Sequence, residues 1–180
     1  MHPLICRALG RAVELHAGQM RKDDKTSFIV HPMETALIVA RANGSPEAVA
    51  GALLHDTVED TPYTFAALQV EFGDAILEIV SMGTENLAIV DWEQRKRDLL
   101  QRLEKASVEA KLVKAADVLS NMGSLTEGIL RDGEAFWTKF RTPKTFRLHY
   151  FDQIRLVTAD VQPPWLQTEF DRLLGGLSRI

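Results

Sequence analysis

The sequence predicts an all-α protein, a helical bundle in a single domain. Three observations predict it. Apolar residues recur three and four positions apart in segment after segment, the spacing of one helix face. Cap residues and prolines stand where helices should begin. No stretch alternates apolar and polar residues as a half-buried strand would, and no low-complexity tract, internal repeat or long linker divides the chain. With 180 residues, 46% of them hydrophobic, the chain can bury a core without disulfides.

Charge and cysteine usage narrow the function classes. The net charge is -4, from 21 Lys+Arg against 25 Asp+Glu, so no basic surplus points to nucleic acid. An anionic ligand would have to be met by cations gathered locally. The single cysteine, Cys6, excludes an intramolecular disulfide and suits a cytoplasmic protein. Cys6 itself is expected to be a small buried apolar residue. Met1 to Arg7 is too short an apolar stretch for a signal peptide, and no run approaches the ~20 apolar residues of a membrane span.

Leu4 to about Gln19 reads as an amphipathic helix, with Leu4, Ala8, Ala12, Val13 and Leu15 apolar and Arg7, Arg11 and Glu14 polar. The stretch from Gly18 to Ser27 has no apolar period and should be a loop. Arg21, Lys22 and Lys25 sit there with Asp23 and Asp24. Taken alone they are solvated charge, although an Arg-Lys pair on a loop also suits phosphate or a base. His31 precedes Pro32, which places it at a helix entrance. Asn43-Gly44-Ser45-Pro46 ends that helix, with Gly44 as C-cap and Ser45 as the next N-cap.

The next helix, Pro46 to about Val58, runs from small apolar residues into His55, Asp56, Glu59 and Asp60. On one continuous helix Asp56 lies beside Glu59 and Asp60, and His55 lies above Glu59. Crowded carboxylates repel one another and lose hydration when buried, and a divalent cation relieves both costs. Alone, the cluster is also a polar C-terminal turn. Thr64 then caps a helix from Phe65, Gly73 ends it, and Asp74 caps the next. Asp91 to about Lys105 is charge-rich and reads as an ion-paired helix whose cations could face an anionic pocket. Ser107 caps a long helix in which Asp117 interrupts the apolar positions, with Asn121 on the same face. A carboxylate there needs a partner; a salt bridge with Lys114 or a neighbouring Arg and a bound cation account for it equally well. Phe136, Trp137, Phe140, Phe146, Tyr150 and Phe151 are expected in the core, and His149 at the surface or in a structural role. A last helix runs from Pro163-Pro164-Trp165 to about Leu174 and is closed by Gly175-Gly176.

His31, His55-Asp56 and Asp117, in that order on successive helices, resemble the H…HD…D pattern of HD-domain metal-dependent phosphohydrolases. His16 to Lys22, Phe28 to Pro32, Ala52 to Thr61, Glu71 to Gly73 and Lys111 to Met122 look like the hydrolase domain of RelA/SpoT proteins. The likeness runs from about His16 to Leu125, and a chain with no synthetase or regulatory domain looks like a small alarmone hydrolase. The resemblance implies an HD-type helical bundle and one divalent cation, usually Mn²⁺, held by His31, His55, Asp56 and Asp117. It implies Glu59 and Asp60 as the catalytic acidic pair, and Arg21, Lys22 and Asn121 as nucleotide contacts. The implied reaction removes the 3′-pyrophosphate of (p)ppGpp. Val118 stands where the family usually has Arg or Lys, and Thr84-Glu85 replaces the more usual Thr-Lys. Each change removes a cation near the site, which leaves the substrate more open than the metal. Two alternatives stand beside the implied reaction. One is another ribose-phosphorylated nucleotide, such as an adenine alarmone or the 2′-phosphate of NADPH. The other is an inactive nucleotide-binding module.

Overall fold

The computed structural model describes residues 2–23, 25–140 and 142–179. Ten α-helices carry those residues: α1 (Pro3–Leu15), α2 (Val30–Arg41), α3 (Pro46–Leu54), α4 (Thr57–Asp60), α5 (Phe65–Phe72), α6 (Asp74–Gly83), α7 (Trp92–Leu103), α8 (Val108–Asp132), α9 (Lys144–Val157) and α10 (Pro164–Leu177). Two 3-10 segments, Gly133–Lys139 and Ala159–Val161, flank α9. Among the described residues the only β feature is an isolated antiparallel bridge between Met20 and Ser27. No described helix is long and apolar enough to cross a membrane.

The 25-residue α8 is the axis, packing against α2, α3, α6, α9 and α10. Its Leu112, Val113, Ala115, Ala116, Leu119, Met122, Leu125 and Ile129 belong to one continuous apolar core. Small residues let α3 press against its neighbours. A Cβ on Gly51 would lie 2.5 Å from Ile79 Cγ2 of α6, so only glycine allows that approach.

The predicted caps largely hold. Ser45, Thr64 and Ser107 each accept from the backbone N–H three residues on, and Asp91, not foreseen as a cap, does the same for α7. Several sequence expectations are corrected. The left-handed residue after α2 is Asn43 (φ 58°), and Gly44 is needed because a Cβ there would meet Val39 Cγ1 at 2.5 Å. Asp74 is the first residue of α6 and accepts from Gln69 Nε2, so it is no cap. Helix α10 continues through Gly175-Gly176 to Leu177. Cys6 is exposed, and Val13 is 48% exposed because the face of α1 that meets the core is centred on Ala8 and Ala12. The helix predicted over 46–58 breaks at His55-Asp56, which form a turn between α3 and α4. There Thr57 Oγ1 donates to the Leu54 carbonyl (2.6 Å) and Asp60 N–H to the Asp56 carbonyl (2.9 Å).

Candidate functional site

Three helical pieces bring four predicted ligands to one point. His31 comes from the first turn of α2, His55 and Asp56 from the α3–α4 turn, and Asp117 from the middle of α8. His31 Nε2 lies 3.2 Å from His55 Nε2, 3.2 Å from Asp117 Oδ1 and 3.4 Å from Asp56 Oδ2. His55 Nε2 lies 3.2 Å from Asp56 Oδ1 and 3.7 Å from Asp117 Oδ1. One donor atom each from His31, His55 and Asp117 fall within 4.8 Å of one another, and all three residues are buried. Donors spaced this way surround a centre about 2 Å from each, the length of a bond to a divalent cation.

The chemistry of the donor set fits a cation. His55 Nδ1 faces the Ala52 carbonyl at 2.7 Å, which can only accept, so Nδ1 carries the proton and Nε2 of the neutral ring is bare. His31 Nδ1 is engaged by Ser120 Oγ at 2.9 Å. Each imidazole therefore turns Nε2 toward the other and toward two carboxylates. Burial opposes charge on His55, but Asp56 and Asp117 outweigh it and hold its pKa well above the ordinary histidine value. The same attraction, working against burial, lowers Asp56 to about 2. The cluster draws positive charge, and a divalent metal meets that demand where a proton otherwise would.

Asp117 makes the salt bridge with Lys114 that the sequence offered and also faces the histidine cluster. Its Oδ2 accepts from Lys114 Nζ at 2.8 Å while its Oδ1 faces His31. Burial penalises both charges, yet each stabilises the other: Lys114 is held well above and Asp117 well below its ordinary value. Lys114 also donates to the Gly83 carbonyl (3.2 Å). Asn121 Nδ2 donates to Asp117 Oδ1 (2.6 Å).

His31, Asp56 and Asp117 form the floor of a cavity of about 510 Å³, lined also by Arg21, Lys22, Glu59, Asp60, Val118 and Asn121. That volume falls in the range of small-molecule sites. Desolvation raises Glu59, whose Oε2 accepts from the Glu85 backbone N–H (3.1 Å). Desolvation, then Asp56 and Glu59, lift Asp60 to about 7. The loop before α2 is better ordered than its composition predicts. Asp23 accepts from Lys25 N–H (3.0 Å), Thr26 N–H (2.9 Å) and Thr26 Oγ1 (2.6 Å), which hold its carboxyl far below the usual range. This turn sets Arg21 against Ser124 Oγ (2.8 Å) and Asn121 Oδ1 (3.4 Å). Asp24 lies outside the described residues.

Sequence reasoning missed the opposite wall. Phe136, Tyr150 and Phe151 are buried as expected, but with Phe140 they also line the cavity. Lys22 Nζ and the Arg147 guanidinium lie 4.2 and 4.4 Å from the Phe140 ring centroid, and Lys96 Nζ lies 4.2 Å from that of Tyr150. Burial pushes Arg147 down. Burial, then repulsion from Arg147 and Arg21, lowers Lys22 to about 8. Glu85 pairs with Arg95 and Lys96, which together lower its pKa against the effect of burial. Only the run of aromatic and basic residues after position 135 could have signalled this wall, and it reads equally as core.

The HD-domain family profile matches residues 8–141. The chain is 40% identical over 125 residues to guanosine-3′,5′-bis(diphosphate) 3′-pyrophosphohydrolase MESH1 of Xenopus tropicalis, covering 68% of this chain and 69% of that protein. Among solved structures it is similar to lmo0812 of Listeria monocytogenes (30% identity, TM-score 0.75, 83% of this chain and 99% of that one). It also shares the fold of a metazoan ortholog of SpoT that hydrolyzes ppGpp (24% identity, TM-score 0.78, 97% of this chain and 96% of that one). With the profile spanning most of its length and the histidine–aspartate cluster at its centre, the chain belongs to the HD-domain family, beside the MESH1 and SpoT-type proteins.

Proposed function

We propose that this protein is a metal-dependent hydrolase that removes the 3′-pyrophosphate of guanosine (p)ppGpp, releasing GDP or GTP and pyrophosphate. The observation that carries the reading is the convergence of His31, His55, Asp56 and Asp117 beneath a cavity whose far wall is cationic. Identity to MESH1 supports the same substrate.

A divalent cation bound by these four residues, Mn²⁺ in this reading, supplies a Lewis acid for the phosphoryl oxygens and makes a nearby water more acidic. Asp60, poised near neutral pH, takes the proton of the attacking water, and Glu59 orients it. The water oxygen bonds to the phosphorus carried on the ribose 3′-oxygen, that P–O bond breaks, and the 3′-oxygen leaves with a proton. Arg21, Lys22 and Asn121 hold the nucleotide. The 180 residues act as one HD domain, and the cytoplasm is their compartment in this reading.

Incubating the pure protein with ppGpp and Mn²⁺ tests the proposal. Stoichiometric GDP and pyrophosphate are expected, and metal-loaded protein that releases no pyrophosphate overturns it. A second reading, another ribose-phosphorylated nucleotide such as an adenine alarmone or NADPH, is favoured by the buried, uncharged Val118 on the cavity wall and by Lys96 being committed to Glu85. A substrate panel compared by kcat/KM separates the two. An inactive binding module is disfavoured, because all four ligand residues are present in one cluster and both acidic residues line the cavity beside it.

A further inference from the structure

Behind the metal-facing histidine lies a relay that the catalytic reading does not use. Glu34 sits one turn after His31 on α2, and Ser120 lies on α8 three residues after Asp117. Ser120 Oγ is 2.9 Å from His31 Nδ1 and 2.8 Å from Glu34 Oε2, and Ser120 is buried. A hydroxyl has one proton to donate. A carboxylate accepts, so the Ser120 proton points to Glu34 and the oxygen lone pairs point to His31. His31 Nδ1 must then be the N–H that donates, which leaves Nε2 bare toward the centre.

We infer that Glu34 and Ser120 are positioning residues which fix the tautomer and ring orientation of His31 for metal binding. The inference rests on His31 being a metal ligand, as in the function proposed above. Its logic is directional. Without Glu34, the Ser120 hydroxyl is free to rotate and donate to Nδ1. The ring proton then moves to Nε2, where it points at the cation's place and must be displaced before the metal binds. Without Ser120, His31 loses the contact that holds its ring plane against α8, and Glu34 Oε2 has no hydroxyl to accept from. Outer partners of ligating histidines commonly shift metal affinity about 10–100-fold.

The test uses the metal-free full chain titrated with Mn²⁺ alone by calorimetry, with no nucleotide present. Ser120→Ala and Glu34→Ala should each weaken Mn²⁺ binding about 10–100-fold. Ser120→Thr and Glu34→Gln, which keep a hydroxyl and an acceptor in place, should restore most of it. The double variant Ser120→Ala/Glu34→Ala should be no weaker than the weaker single one, because both act through the same ring nitrogen. Thermal melts of the metal-free variants separate loss of positioning from loss of fold. If Ser120→Ala fails to fold, the Glu34→Ala and Glu34→Gln pair on a partly exposed side chain carries the test. Mn²⁺ binding within twofold of the parent in both alanine variants overturns the inference and leaves the hydrolase reading standing. A parent chain that binds no Mn²⁺ overturns both.

Discussion

At the floor of the cavity, His31, His55, Asp56 and Asp117 form a cluster of short side chains on or between helices; His31, His55 and Asp117 are buried and each of these three is bonded to a second group. On the far wall, Lys22, Lys96 and Arg147 are long side chains laid along Phe140 and Tyr150. The floor is held by directional contacts at 2.6–3.7 Å; the wall is held by ring faces that tolerate sliding. Short side chains on packed helices lose little entropy on ordering, and they suit a bond that must be right to a fraction of an ångström. Long cations stacked on rings can swing to adapt to phosphates of different reach. The difference teaches that, in the proposed function, the reaction would be specified at the floor and the choice of nucleotide at the wall.

Substitutions on the floor should break this contrast most severely. Asp56→Ala removes a proposed ligand whose carboxylate makes no capping bond to α4. Hydrolysis is expected to fall at least about 1,000-fold while the metal-free melting temperature stays near that of the parent, because the lost interactions act on the cation and the transition state. A rate assay and a melt check this together; residual turnover above about a tenth would remove Asp56 from the ligand set. Asp60→Asn should lower kcat about 100-fold or more with Mn²⁺ affinity changed only a few-fold, since it takes away the proposed proton acceptor and leaves the proposed ligands in place.

Lys114→Met probes the floor's foundation. Breaking a buried ion pair on one side typically costs about 3–5 kcal/mol, so the metal-free variant should lose about 3 kcal/mol in urea unfolding. Added Mn²⁺ should recover part of that loss by neutralising Asp117 again. A loss below about 1 kcal/mol would mean that the His31 and Asn121 contacts satisfy Asp117 unaided.

The wall yields the smallest effect, and it depends on pH. Lys22 is charged below about 8 and neutral above. Affinity for an anionic nucleotide should therefore be full at pH 7 and fall as pH rises through 8. KM is expected to climb roughly tenfold by pH 9, the order of one lost phosphate contact. Lys22→Met should raise KM at pH 7 and flatten its profile. A parent KM that stays constant from pH 7 to 9 would place Lys22 outside the binding surface.

Much of the floor was legible because its determinants are local. Histidine before proline, histidine beside aspartate at the end of a small-residue helix, and an aspartate among core positions are each visible within a few residues. Three of the four elements that carry them also announce their starts: proline follows His31, and Ser45 and Ser107 cap α3 and α8. What misled was also local. A helical pattern over 46–58 gives no sign of the turn at His55-Asp56, since both residues keep near-helical backbone angles while the hydrogen-bond ladder is interrupted.

The sequence by itself determined an all-α chain, the positions of most helix starts, and a set of ligand-type residues suited to a divalent cation. Only the tertiary structure decided that Asp117 serves Lys114 and His31 at once, that Ser120 reaches His31 and Glu34 from 89 and 86 residues away in the chain, and that Phe140 carries two cations above the site. Helical period and capping are set by neighbours within one or two turns, so one strand of text contains them. Which side chains share a buried volume depends on how helices far apart in the chain pack around α8, and that packing is a property of the whole core.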